Sequence, residues 1–185
     1  IELVQWTRNH TALFQPLAQQ KNIRLSFHSS VNELWMEADT DKLEKMLHNL
    51  LSNAIKFSHA NGQVEVQTSC LKDNRFTITV KDQGIGIPAS KLPYIFDRFY
   101  QVDASDTRSR EGAGIGLSLT KELTQLLGGE ITVESEEGRG SCFVLTLPYK
   151  PAVSDKTSAP GSAQSIPLPV NLTAPGDKLP DGRPL

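Results

Sequence analysis

The chain has 185 residues, 38% of them apolar, and a formal net charge of −2. That is enough for one domain with a full core and some excess, and the lack of a basic surplus speaks against a nucleic-acid partner. No run of 18 apolar residues occurs, and the opening IELVQWTRNH lacks the order of a signal peptide, so this piece is expected to make no membrane contact.

An initial Ile suggests a piece cut from a longer chain. Glu2, Leu3 and Val4 could form an edge strand, and Trp6, Leu13, Phe14 and Leu17 predict a helix over about 5 to 21. Pro16 would kink that helix or delay its start, and Asn22 would stop it. Ile23, Leu25 and Phe27 alternate with polar residues as in a half-buried strand, and Leu34, Trp35 and Met36 suggest a second, short one. Residues 40 to 57 carry the clearest period: Leu43, Met46, Leu47, Leu50, Leu51, Ala54 and Ile55 form one apolar stripe, with Asp39, Thr40 and Asp41 as candidate caps. Residues 63 to 70 and 75 to 82 read as an antiparallel hairpin turning at Asp73-Asn74. A short helical piece is expected within 89 to 101, and a polar, mobile loop from 103 to 112. Ile115, Leu119, Leu123, Leu126 and Leu127 predict a further helix with these residues on one face, ended by Gly128-Gly129. Two strands then flank the turn SEEGRGS. Cys70 and Cys142 lie in strand-like runs without CxxC spacing, which predicts buried, reduced thiols. From Pro151 onward the chain holds seven of its eleven prolines and no aromatic residue. Such a segment buries too little apolar surface to offset its ordering entropy, so 1–150 is expected to be the domain and 151–185 a linker or disordered tail. Asn171-Leu172-Thr173 fits a glycosylation sequon but is not expected to carry a glycan in a cytosolic chain.

Three segments carry chemistry. Asn49, Asn53 and Lys56 align along one edge of the helix over 40 to 57, away from its apolar stripe. Such an edge is either an ordinary solvated face or a site where amide oxygens meet a hard cation and an ammonium meets a phosphate. Asn is a mediocre helix former, so two of them one turn apart in mid-helix call for a reason. In DQGIG the glycines let a ligand approach the backbone, and Asp82 can accept a hydrogen bond from an amine; a plain Asp-Gly turn is the alternative. GAGIGL runs into a helix, where unpaired N–H groups suit phosphates, with a glycine-rich hinge as the alternative. A dinucleotide fingerprint would need a glycine at Leu117 and a strand just before, and a P-loop would need GKS or GKT.

In this order and spacing, the Asn49, Asn53, Lys56 edge, DQGIG, Phe96-Asp97-Arg98-Phe99 and GAGIGL resemble the N, G1, F and G2 boxes of the catalytic and ATP-binding domain of sensor histidine kinases. GGEITVESEEGRGSCFVLTLP resembles that family's terminal hairpin, so the resemblance covers about residues 1 to 150. It implies an α/β (α+β) Bergerat fold: a two-layer sandwich of a mixed, mainly antiparallel five-stranded sheet on three helices. It further implies ATP as ligand, with Asn53 and Asn49 holding Mg²⁺ and Lys56 near the phosphates. Asp82 would bind the adenine amino group, supported by Gly84 and Gly86, and Ser141 would help hold that end. Gly112, Gly114 and Gly116, with Leu117 after them, would present N–H groups to the β and γ phosphates, and 97 to 113 would be the ATP lid. Relatives often carry an arginine where Gln101 stands, leaving Arg98, Arg108 or Arg110 for the γ-phosphate.

The related gyrase and Hsp90 ATPases carry a glutamate where Asn49 stands. A carboxamide cannot act as a base near neutral pH, so Asn49 argues against water activation and for phosphoryl transfer by positioning and charge. The acceptor in the family is a histidine on a separate dimerisation domain, usually followed by an acidic residue. His10, His28, His48 and His59 are followed by Thr11, Ser29, Asn49 and Ala60. The chain is therefore expected to bind Mg-ATP without phosphorylating itself. The resemblance also implies a cytoplasmic place within a membrane-anchored sensor, a response regulator or receiver domain as partner, and a hybrid kinase if a receiver follows the tail. A nucleotide-binding module without transfer activity and an ATPase are the rival readings.

Overall fold

The computed structural model describes residues 1–101, 114–152 and 164–165. Helix α1 (Leu3–Ala12) begins where the Glu2 carboxylate accepts hydrogen bonds from the N–H groups of Val4 and Gln5, at 3.0 and 2.5 Å. Leu3 and Val4 thus open a helix instead of the expected edge strand, and Glu2 keeps one antiparallel bridge to Trp35. Helix α2 (Gln15–Gln20) carries Pro16 in its first turn, where a missing N–H costs nothing, so the single helix expected over 5 to 21 is two. Asn22 then takes φ +55° and turns the chain into β1 (Arg24–Ser29). Leu34–Met36 makes isolated bridges only.

Helix α3 (Thr40–Phe57) has Asp39 as its N-cap, accepting from the Lys42 N–H, and all seven residues of the apolar stripe are buried. Strands β2 (Gln63–Cys70) and β3 (Arg75–Asp82) form the expected hairpin, with Asn74 at φ +55°. The short helical piece is a 3₁₀ turn at Leu92–Tyr94. Helix α4 (Gly116–Leu126) leads into the hairpin of β4 (Glu130–Glu136) and β5 (Gly140–Pro148). The sheet order is β4-β5-β3-β2-β1, completed by a two-residue strand β6 (Gln164–Ser165) on β1. Among the described strands only β1 and β2 pair in parallel, so the sheet is mixed and mainly antiparallel. Phe27, Val64, Val66, Phe76, Ile78, Val80 and Leu145 project from one sheet face into the core they share with α1 and α3. Alternate residues such as Ser26, Glu65 and Thr79 face the other side, which makes two layers. The expected mobile loop and most of the tail lie outside the described residues.

Helix α4 departs from its expected facing. Thr120 and Thr124 are buried, whereas Ile115, Leu119 and Leu126 are 43, 42 and 70% exposed. Each threonine hydroxyl donates to a carbonyl one turn back, Thr120 to Gly116 at 2.9 Å and Thr124 to Thr120 at 2.6 Å. With each proton placed there, the hydroxyl oxygens can still meet α3, Thr120 accepting from Asn49 at 2.7 Å and Thr124 lying 3.2 Å from the Met46 sulfur, so both polar side chains are buried without loss of partners. Both cysteines are free thiols, but Cys70 is exposed and Cys142 half-buried, so the expected full burial does not hold.

Gly140 fixes the turn between β4 and β5 against the end of β3. Its φ is +96°, and a Cβ there would collide with the Asp82 carbonyl. Gly140→Ala is expected to cost about 3 kcal/mol or more from backbone strain and overpacking, read as a lower urea midpoint at unchanged slope.

Candidate functional site

A cavity of about 370 Å³ lies among α3, the end of β3, the start of α4 and β5. Its walls join Asn49, Asn53 and Lys56 from α3 with Asp82 and Gly86, with Gly114, Gly116 and Leu117, and with Ser141. Segments more than ninety positions apart in sequence therefore meet at one place. Gly84 supports this wall from behind, since a Cβ there would run into the Phe57 carbonyl and the Asp82 carboxylate. Arg98 is not among the lining residues; its Nε and guanidinium nitrogen donate to Glu122 at 2.9 and 2.7 Å. Gly112, Arg108 and Arg110 lie outside the described residues. His48, next to Asn49, faces His10 and Phe14 instead of the cavity.

Asp82 closes one end. It is 5% exposed, and its Oδ1 accepts from the Ser141 N–H at 3.3 Å. Burial pushes its pKa up to about 6, against the lowering effect of backbone N–H groups of Ser141 and Gly84. A buried carboxylate with spare lone pairs seeks a donor, and a ligand amine can supply one. Ser135, a residue the sequence reading did not single out, orients the neighbouring hydroxyl. Its own proton goes to the Gly140 carbonyl at 2.8 Å, so across the 3.0 Å contact with Ser141 it must accept. Ser141 therefore spends its proton on Ser135 and keeps its lone pairs for other donors. Ile85, Ile87 and Phe143 line the cavity beside it, giving apolar walls suited to a flat ring.

The other end is built for anions. Helices α1 and α3 are capped by carboxylates, whereas α4 has no side-chain cap and no acidic residue in its first turn. Its leading N–H groups and positive dipole end stand at the cavity, where phosphate oxygens bind well. Thr120 fixes the adjoining carboxamide. Because its hydroxyl proton is committed to Gly116, it can only accept from Asn49, whose Nδ2 lies 2.7 Å away. That orients Asn49 Oδ1 toward Gly116, into the space that a Cβ on Gly116 would fill. The two carboxamides, Asn49 and Asn53, thus offer neutral oxygen donors beside an anion-binding helix end, a set that fits a hard divalent cation.

A family model described as histidine kinase-, DNA gyrase B- and HSP90-like ATPase matches residues 38–151. The sensor histidine kinase WalK of Bacillus subtilis (strain 168) is 42% identical over 124 residues, which is 66% of this chain and 20% of that protein. The autoinducer 2 sensor kinase/phosphatase LuxQ of Vibrio vulnificus (strain CMCP6) is 34% identical over 173 residues, or 90% of this chain and 20% of that protein. The chain thus spans about a fifth of the length of these relatives. Among solved structures, full-length ShkA in complex with AMPPNP superposes with a TM-score of 0.75 at 29% identity, covering 83% of this chain and 31% of that one. The catalytic domain of histidine kinase ThkA gives 0.70 at 26%, covering 82% and 95%.

Proposed function

This chain belongs to the family of histidine kinase-, DNA gyrase B- and HSP90-like ATPases, and we propose that residues 1–150 act as the catalytic, ATP-binding domain of a two-component sensor histidine kinase. The domain transfers the γ-phosphoryl group of ATP to a histidine on a dimerisation domain, and a response regulator or receiver domain takes it onward. Residues 151–185 would serve as a linker or tail. The kinase-type relatives and the bound nucleotide analogue of ShkA support this reading. The observation that carries it is Asn49. A carboxamide locked by Thr120 stands on the phosphate side of the cavity, where water activation would need a carboxylate.

In this reading Asp82 and Ser141 receive the adenine edge, with Gly84 and Gly86 allowing close approach. Gly114 and Gly116 leave the backbone open to the phosphates, a role the motif extends to Gly112, and Leu117 lies in the first turn of α4. Lys56 adds positive charge on the α3 edge. Mg²⁺, when bound by Asn49 and Asn53, would neutralise charge on the phosphate oxygens. Arg98 can reach the γ-phosphate only after leaving Glu122, exchanging one ion pair for another. Leu119 and Leu126, exposed two turns apart on α4, offer an apolar surface to the helices of the dimerisation domain. In this reading the piece works in the cytoplasm as part of a membrane-anchored sensor. Among the described residues no helix is long and apolar enough to cross a membrane.

Among the described residues none of the four histidines lines the cavity. Incubated alone with labelled ATP, the chain is expected to form no phosphohistidine. Adding the separately made two-helix dimerisation domain of a related sensor kinase should label that domain. Nucleotide binding without labelling would instead mark a signalling module, and steady phosphate release abolished by Asn53→Ala would mark a hydrolase.

A further inference from the structure

Away from the cavity, α1 and α3 bring three metal-ligating side chains together. Glu44 and His48 are one turn apart on α3 and so share a face, and His10 reaches them from the last turn of α1. His10 Nδ1 and His48 Nε2 are 3.0 Å apart, and Glu44 Oε1 lies 3.7 Å from His48 Nδ1. One donor atom from each of the three falls within 4.8 Å of the other two.

Aromatic neighbours hold both imidazoles. The Trp6 ring lies 4.1 Å from that of His10, and Phe14 meets His48 edge-on at 5.1 Å. Ligands about 2.1 Å from a tetrahedral ion stand roughly 3.4 Å apart, so the two nitrogens already have near-ligating separation. Glu44, whose 3.7 Å contact is to the other nitrogen of His48, must swing toward this pair to share one ion, and its side chain is 47% exposed and can pivot.

We infer that His10, Glu44 and His48 form a binding site for a borderline divalent transition ion, Zn²⁺ above all, with solvent completing its coordination. Two imidazoles and one carboxylate suit such an ion, whereas Mg²⁺ prefers an all-oxygen shell. The site is separate from the Asn49 and Asn53 edge and does not depend on the nucleotide reading. Bound there, the ion would fasten α1 to α3 and favour the folded state by mass action.

The plain alternative is a hydrogen-bonded histidine pair without metal affinity. The test uses the metal-free chain, without nucleotide or Mg²⁺, titrated with Zn²⁺ by calorimetry and with Co²⁺ by visible absorption. One equivalent should bind, with a raised Tm and the intense d–d bands of a low-coordinate Co²⁺ site. His10→Gln and Glu44→Gln should each weaken binding at least about tenfold, whereas His28→Gln should leave it unchanged. Glu44 is partly exposed on a helix surface, so its variant keeps the test decisive even where His48→Gln fails to fold. No saturable uptake, or uptake untouched by both His10→Gln and Glu44→Gln, would overturn the inference.

Discussion

Asp82→Asn is expected to abolish nucleotide binding and, at pH 7, to raise the stability of the nucleotide-free chain. Asp82 sits at the end of β3, buried and hydrogen-bonded to the Ser141 N–H, with its pKa held at about 6 instead of the ordinary 3.8. Between those values the folded chain binds a proton more tightly than the unfolded chain does. Stability therefore falls as pH rises from about 3.8 to about 6 and stays lower above. At neutral pH the ionised carboxylate costs on the order of 3 kcal/mol. Asn keeps the shape and can still accept from Ser141, but it carries no charge to desolvate. The gain should appear as a Tm higher by several degrees at pH 7, shrinking to little at pH 4, where the wild-type carboxyl is largely protonated in the fold. Its amide would turn donors toward a ligand amine that itself donates, so affinity should fall by orders of magnitude. In the unaltered chain nucleotide affinity should also weaken as pH drops through about 6. Equal affinity in Asp82→Asn would remove Asp82 from the site, and a lower Tm at pH 7 would contradict the desolvation argument.

How far the sequence reveals this molecule depends on how local the determining physics is. Helix α3 was legible to the residue because Asp39 caps it and seven apolar side chains repeat over its whole length. The strands of both hairpins were legible from their alternation. The break between α1 and α2 was signalled by Pro16, but its position depends on Glu2 starting the first helix earlier than periodicity suggests. Helix α4 was misread in facing because Thr120 and Thr124 can be buried only once their hydroxyls find partners in the preceding turn and on α3, which hydrophobicity cannot register. The site shows the same division. Asn49, Asn53, Asp82 and Gly116 stood out by residue type and spacing, and Ser141 only through the family resemblance, whereas Ser135 and Thr120 work by orienting a neighbour and carry no motif of their own. Arg98 looked available for a phosphate until the fold placed Glu122 beside it. Likewise, nothing in the spacing of His10 and His48 announces that two helices bring their rings together.

Asn53→Ala separates the metal reading of the α3 edge from an ordinary solvated face. The expected result is a roughly 100-fold loss of ATP affinity in Mg²⁺, the order given by removing one contact to a charged group. With the metal chelated, the variant and the unaltered chain should bind ATP within a few-fold of each other. The fold should survive, because Asn53 is half-buried on the polar edge of α3 and Ala is the better helix former. Asn49 would be a poorer probe. Among the described residues its amide ties α3 to Thr120 of α4, so Asn49→Ala would lose a structural hydrogen bond along with any metal contact. The fold is checked by thermal unfolding without nucleotide, and affinity by calorimetry with and without Mg²⁺. A loss that persists after chelation would place Asn53 on the nucleotide directly. Unchanged affinity in Mg²⁺ would leave Asn53 a surface asparagine and move any metal site to donors other than the paired carboxamides.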